Sequence, residues 1–290
     1  MDFLQVLIMA ALQGVIEFLP MSSAGHLVII EHLLKMDVET GMLLTVMLHL
    51  GTLLAIFVVF KNDITRLVLE LHNIVADIVK NAEILLHNKR RNDAKRYLKV
   101  FSNNHRKFAV MIIVSTIPTI IMGALLQGRF KRMHGSLLAT GTGLLITAVF
   151  LLVVNFTKQG EKRPLDINYK TALLIGALQG LAVLPGVSRA GVTLAACLLC
   201  GFTCKFAIKY SFILAIPTII GANIMTLATM PKGNFSGMEI LYCIVGIIIA
   251  ALVGLACAKA ALSLIRKEWL KYFAGYSLII GIFTIVYNFV

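Results

Sequence analysis

The chain has 290 residues, 59% of them hydrophobic and only 14% charged, with a mean hydropathy of +0.88. A water-soluble domain of this length could not bury that much apolar surface, which excludes the soluble classes and points to an all-α polytopic membrane protein. The formal net charge of +13 would suit a nucleic-acid partner, but a basic bias is also what membrane orientation alone produces, so the expected partner is the lipid bilayer and no nucleic acid.

The first residues, Met1-Asp2-Phe3, lack the basic stretch of a cleavable signal, so the first apolar segment is expected to remain in the mature protein. That segment, 2–34, is interrupted at its middle by the string QGVIEFLPMSSAGH, residues 13–26. Spans follow at roughly 41–60, 108–128 and 137–156. A second interrupted segment, 171–204, carries QGLAVLPGVSRAGVT at residues 179–193, and spans close the chain at about 210–230, 239–262 and 271–290. These runs are continuous rather than alternating, as in helices and unlike barrel strands. Each interrupted segment reads as two short helices joined by a break, a re-entrant pair that enters and leaves on one side. The whole, 1–290, reads as a single membrane domain of two halves, 1–156 and 171–290. The five cysteines, Cys197-x-x-Cys200 included, fall in or beside apolar segments and read as small packing residues.

The loop 61–107 holds eleven Lys and Arg against five Asp and Glu, which assigns it to the cytoplasm. Threading from there puts 157–170, 205–209 and 259–271 inside too. Inside then carries 21 of the 27 basic residues, outside carries five (Lys35, Arg129, Lys131, Arg132 and Lys232), and Arg189 is left in the membrane. Both termini are therefore expected to be extracytoplasmic. Three spans separate the two re-entrant pairs, so they approach from opposite faces, as in an inverted-topology repeat whose tips meet near the midplane. A second echo, Ile117-Pro118-Thr119-Ile120-Ile121 and Ile216-Pro217-Thr218-Ile219-Ile220, falls on helices running the same way, which simple inversion does not explain. Within the loop, Ile64, Leu67, Val68, Leu71, Val75, Ile78 and Leu85 form one apolar helical stripe. Lys89 to Lys107 then adds eight basic residues and one acid, a pattern suited to an amphipathic helix on an anionic leaflet.

The chemistry concentrates at the two breaks. Gln13 and Glu17 share a helical face. A carboxylate in the bilayer costs roughly 2.5–3.5 kcal/mol, so Glu17 requires a cation, a donor or a proton. Pro20 stops the helix, Ser22 and Ser23 are cap-type residues, and a new helix opens at Ala24-Gly25-His26 with its positive end in the break. The second tip repeats the layout with Pro185-Gly186-Val187-Ser188 before Arg189, and Gly186 and Gly191 allow close backbone approach. Each serine alone would read as a cap, and Glu17 and Arg189 could simply neutralise one another. Together they offer a carboxylate, a guanidinium, hydroxyls, an imidazole and two helix N-termini, a set suited to phosphoryl transfer on an anionic lipid. His49, in the first full span, reads as a helix-contact residue and is set apart from the site.

These two motifs resemble the undecaprenyl-diphosphate phosphatase, or bacitracin-resistance, family over nearly the whole chain. Gln13-Gly14-Val15-Ile16-Glu17 followed by FLPMSSAGH is similar to its acidic (E/Q)xxxE element, and Pro185 to Thr193 to its PGxSRSxxT element. Two positions depart: Gln13 leaves one carboxylate where the family often has two, and Ala190 replaces a serine. The resemblance implies hydrolysis of the C55 isoprenyl diphosphate carrier to the monophosphate, recycling it for cell-wall synthesis and conferring bacitracin resistance. It also implies support by Mg²⁺ or Ca²⁺, interlocked inverted repeats, a site open to the outer face, and a bacterial inner-membrane location. On this reading Glu17, Ser23, His26 and Arg189 are catalytic, with Ser23 as nucleophile and His26 as its base or as alternative nucleophile. Glu17 binds the metal or handles a proton, and Gln13, Ser22, Gly25, Gly186, Ser188 and Thr193 contact substrate. The isoprenyl diphosphate lipid is the expected partner, and a homodimer is left open. The competing class is a transporter or flippase of an anionic, phosphorylated lipid, which needs binding groups but no nucleophile.

Overall fold

The structure, a computed structural model, describes residues 2–36, 38–90, 95–101, 103–133, 135–229 and 236–290. Met1, Arg91 and Lys232, which entered the signal and charge expectations, lie outside the described residues. In chain order the α-helices are α1 (Phe3–Ile16), α2 (Ser23–Leu33), α3 (Val38–Val59), α4 (Lys61–Arg90), α5 (Asn104–Met133) and α6 (Leu137–Asn155). They continue with α7 (Tyr169–Gly180), α8 (Arg189–Leu199), α9 (Cys204–Thr229), α10 (Gly237–Leu264) and α11 (Leu270–Tyr287). Among the described residues, six helical stretches are long and apolar enough to cross a bilayer: Thr40–Val59, Asn104–Leu126, Leu137–Asn155, Cys204–Thr229, Gly237–Leu264 and Lys267–Tyr287. The chain is an all-α, multi-pass membrane protein. Outward-facing Ile248, Leu252, Ile279 and Phe283 are all half or more exposed, because the solvent for those faces is lipid.

Helices run further into the expected loops than the sequence suggested: Asn104 to Lys107 belong to α5 and Lys259 to Leu264 to α10. Residues 205–209, assigned to a loop for their two lysines, form the start of α9. Lys209 is accommodated there by an ion pair to Asp63 of α4, Nζ to Oδ1 2.7 Å, so the charge does not end the helix.

Without a hydrophobic force between helices in lipid, close approach depends on small residues. A Cβ on Gly14 of α1 would meet the Ala250 carbonyl of α10 at 3.0 Å, and one on Gly176 of α7 would meet the Ser115 carbonyl of α5 at 1.9 Å. These two crossings bind each short first arm to a helix of the other half. The remaining extensive contacts are α3 with α10 and α6 with α11, while α3 also meets α9. At the centre lies α8, buried on every side from Ala190 to Leu198. Its surroundings include Tyr210, Phe212 and Phe206 of α9.

Candidate active site

Both breaks form as local sequence chemistry requires. Pro20 cannot continue α1, and the chain turns through Leu19 N to Ile16 O (3.0 Å) and Met21 N to Leu19 O (2.8 Å). Ser22 adopts a left-handed φ of 70° and its hydroxyl caps α2 by accepting from Gly25 N at 3.2 Å. In the second break Gly186 takes φ +81°, and Ser188 caps α8 by accepting from Gly191 N at 2.9 Å. The Ser188 amide donates to Thr147 Oγ1 of α6 at 2.8 Å, fixing this break to a span. The tips touch. A Cβ on Gly25 would lie 3.1 Å from Gly186 Cα, and one on Gly191 would lie 3.3 Å from the Pro20 carbonyl.

Glu17, 5% exposed, is the hub of this junction. Its Oε1 accepts from Arg189 Nη2 at 2.7 Å, joining the two tips across 172 residues of sequence. Its Oε2 accepts from Ser23 Oγ at 2.5 Å and from Gln13 Nε2 at 3.0 Å. His49 Nε2 stands 3.8 Å from Oε2, at ion-pair rather than hydrogen-bond distance, while its Nδ1 donates to the Thr45 carbonyl at 2.7 Å. Arg189 also donates to the Ser211 carbonyl at 3.2 Å. The buried carboxylate thus has donors from three directions, which a desolvated charge requires. Half-buried Ser23 and exposed Ala24 mark where the cluster opens.

Gln13, Glu17, Ser23 and Arg189 therefore come together as the sequence suggested, and Gly25 and Gly186 form the seam beside them. His26 lies on the same helix but faces elsewhere. Its Nδ1 donates to the Ser22 carbonyl at 2.8 Å, which makes Nε2 the acceptor for Tyr276 OH, also at 2.8 Å. The expected Ser23–His26 pairing is replaced by Ser23–Glu17. Thr193 faces a separate cluster: its hydroxyl lies 2.7 Å from the Arg189 carbonyl of its own helix and 3.1 Å from Gln179 Oε1, and Gln179 Nε2 donates to Thr119 (3.1 Å) and Thr218 (2.9 Å). That explains the same-direction Ile-Pro-Thr echo. The two threonines flank one glutamine, the counterpart of Gln13 in the second tip.

Two neighbours of the predicted residues lay outside the expected set. His49 was set apart as a helix-contact residue, although Thr45, His49 and Thr52 fall on one face of an apolar span at helical spacing. Tyr276 carries no local signal, because it meets His26 only across 250 residues.

The oxygen donors also suit a hard divalent cation. The Gln13 Oε1 atom is fully buried with no hydrogen-bond partner, one turn from the Glu17 carboxylate. No group of three or more His, Cys, Asp or Glu capable of holding a metal exists among the described residues. Gln13 Oε1 and the Glu17 carboxylate are the oxygens here that could hold a hard divalent ion, a type such as Mg²⁺ that is commonly bound by one or two protein oxygens beside phosphate and water.

A family model described as bacitracin resistance protein BacA matches residues 6–283. An undecaprenyl-diphosphatase of Methanosphaera stadtmanae is 37% identical over 290 residues, covering 100% of this chain and 99% of that one. Similar proteins of the same name in Alkaliphilus metalliredigens and Korarchaeum cryptofilum are 31% identical over 288 residues and 33% identical over 282 residues, each covering at least 97% of both chains. A match that runs through both breaks and all six spans leaves no part of the architecture outside the comparison: the chain belongs to the bacitracin resistance protein BacA family.

Proposed function

We propose that this protein hydrolyses undecaprenyl diphosphate to undecaprenyl phosphate and inorganic phosphate, returning the carrier lipid for cell-wall synthesis and lowering sensitivity to bacitracin. Family membership supports the substrate. The observation that carries the chemistry is the Ser23 hydroxyl donating to Glu17 Oε2 at 2.5 Å, the arrangement of a nucleophile with its base. The Ser23 Oγ–P bond forms at the terminal phosphorus as the bridging P–O bond breaks, and the hydroxyl proton passes to Glu17. Undecaprenyl phosphate leaves carrying that proton, which returns Glu17 to its carboxylate. Water, deprotonated by Glu17, then attacks the phosphorus; the Ser23 Oγ–P bond breaks, phosphate is released, and Glu17 hands its proton to Ser23 Oγ.

Arg189 exchanges its bond to Glu17 for the diphosphate oxygens as substrate enters, a recognition for which a guanidinium is suited. The positive ends of α2 and α8, both opening at the junction, stabilise the same charge. A divalent cation held by Glu17 and Gln13 Oε1 would supply further neutralisation of the phosphate oxygens when bound. His26 serves as runner-up nucleophile, but its Nε2 is engaged by Tyr276, and that bond favours Ser23. A pure transporter or flippase would have no use for a serine set against a carboxylate, so the same bond favours hydrolysis.

In this reading the helix–break–helix units α1–α2 and α7–α8 are re-entrant pairs from opposite faces, in a single domain of two inverted halves. The contacts support it: α1 packs on α10 and α7 on α5, a reciprocal pair if α5 and α10 are counterparts, while α3 meets α9 and α6 meets α11. The protein then lies in the cell membrane with both termini outside and the site open to the outer face.

The test is phosphate release from undecaprenyl diphosphate by purified protein, with Mg²⁺ and with EDTA. Release that needs the cation and falls by about 10²–10⁴-fold in Glu17→Ala and Ser23→Ala is expected, with Arg189→Ala also impaired. A well-folded wild type that releases no phosphate under either condition would move the assignment to transport.

A further inference from the structure

Ser22 stands directly before the serine that faces Glu17, and its backbone is strained. Its φ of 70° is left-handed, a region that a residue with a Cβ keeps only where its surroundings enforce it. Three bonds hold it there. Gly25 N donates to the Ser22 hydroxyl at 3.2 Å, and the Ser22 carbonyl accepts from His26 N at 3.2 Å and from His26 Nδ1 at 2.8 Å. The imidazole is therefore the side chain that clamps this turn. Nδ1 donates to a carbonyl only when it carries the ring proton, which leaves Nε2 a bare acceptor in the neutral ring. Tyr276 OH of α11 meets that acceptor at 2.8 Å, with the two rings 6° from parallel and their centroids 5.5 Å apart. His26 is only 7% exposed, and a buried ring nitrogen left without a partner would be costly, so both bonds matter. The seat of α11 does not depend on the phenol. Small residues bring α6 and α11 together, and a Cβ on Gly281 would lie 3.0 Å from the Gly141 carbonyl.

We propose that Tyr276 and His26 are a positioning pair for Ser23. The phenol fixes the imidazole proton on Nδ1, the imidazole holds the Ser22 carbonyl, and the held turn aims Ser23 Oγ at Glu17 Oε2, 2.5 Å away. The inference rests on the hydrolase reading, in which Ser23 attacks phosphorus, and it gives His26 a role other than nucleophile or base. Among the described residues neither member of the pair bonds Ser23 or Glu17 side chains, so the effect passes through the backbone of Ser22. Without the phenol the ring proton is free to move to Nε2. The Nδ1 lone pair then faces the Ser22 carbonyl, two acceptors that repel, and the left-handed turn loses its clamp.

The experiment measures phosphate release from undecaprenyl diphosphate with Mg²⁺ by the purified full chain, beside thermal unfolding of each variant. Tyr276→Phe keeps the ring and removes the donor. It is expected to lower kcat about ten- to hundredfold with KM nearly unchanged, as a misplaced nucleophile does. His26→Ala should lose at least as much, and adding Tyr276→Phe to it should lower the rate no further, because the phenol acts only through the imidazole. His26→Asn carries an amide N–H where Nδ1–H stood, so it should recover most of the alanine variant's loss and no longer respond to Tyr276→Phe. Nitrogen-15 spectra of histidine-labelled protein, with His26→Ala subtracted to isolate one ring among the seven histidines, should show the proton on Nδ1 in the wild type and moved to Nε2 in Tyr276→Phe. Full kcat in Tyr276→Phe, an asparagine variant as slow as the alanine one, or a His26 proton on Nε2 in the wild type each overturns the pair while leaving the hydrolase standing. A wild type that releases no phosphate overturns the hydrolase reading, and the pair falls with it.

Discussion

Glu17 accepts from donors on three separate pieces of chain: Gln13 on α1, Ser23 at the start of α2 and Arg189 at the start of α8. Breaking a buried ion pair by removing one partner costs about 3–5 kcal/mol because the other charge is left uncompensated. Activity loss in Arg189→Ala must therefore be read beside a folding measurement. His49 provides a cleaner probe. Its Nε2 stands 3.8 Å from Glu17 Oε2, and under the proposed mechanism it would position that carboxylate rather than touch substrate. His49→Ala is expected to lower kcat about tenfold with KM nearly unchanged, the pattern for an interaction that matters only in the transition state. His49→Gln, which retains an N–H donor at similar reach, should recover most of the loss. A KM rise without a kcat change, or no recovery with glutamine, would show that His49 acts elsewhere. At this scale the sequence was legible where residues share a motif, as with Gln13 and Glu17. It was silent on Tyr276, and it misdirected Thr193, because its motif neighbour Arg189 lies one turn away on the same helix yet faces a different cluster.

The breaks that open α2 and α8 have different tolerances although they look alike in sequence. Gly186 combines φ +81° with a Thr140 carbonyl 2.0 Å from where a Cβ would sit. At Gly25 the φ is not left-handed, and the nearest contacts, Gly186 Cα and Ser22 Oγ, are at 3.1 Å. Gly186→Ala is thus expected to destabilise by at least about 1–3 kcal/mol, through backbone strain alone before the clash is relieved. Gly25→Ala should be milder, requiring only small shifts at the seam. Thermal unfolding of both variants in detergent checks the order. A Gly25 variant less stable than the Gly186 one would mean that the seam between the tips, not the turn on α6, limits stability. The proline and glycine of each break were readable as punctuation, because they act through local backbone geometry. The pinning of the second break by Thr147 was not, since the partner lies 41 residues away.

For the molecule as a whole, the proposed topology rests on the loop charges and on the odd number of spans between the two breaks. Reporter fusions at the N- and C-terminal ends are expected to respond alike, both as extracytoplasmic, with a reporter inserted between α4 and α5 responding as cytoplasmic. Opposite responses at the two ends would sink the six-span threading, and a wholly reversed set would sink the orientation. Much of this protein was determined by its sequence alone. Twenty-residue apolar runs must become helices in lipid because every backbone polar group has to be satisfied internally. The recurrence of Gln-Gly and Pro-x-x-Ser or Pro-Gly-x-Ser at two tips located the polar junction for the same reason, since polar residues at that depth are costly. What only the tertiary structure decided is which groups meet. The pairing of Ser23 with Glu17 rather than His26, the approach of His49, and the convergence of Thr119 and Thr218 on Gln179 all depend on how separate helices cross. Those crossings are set by small residues packing at contact distance, a property of the assembled surfaces that no single stretch of sequence contains.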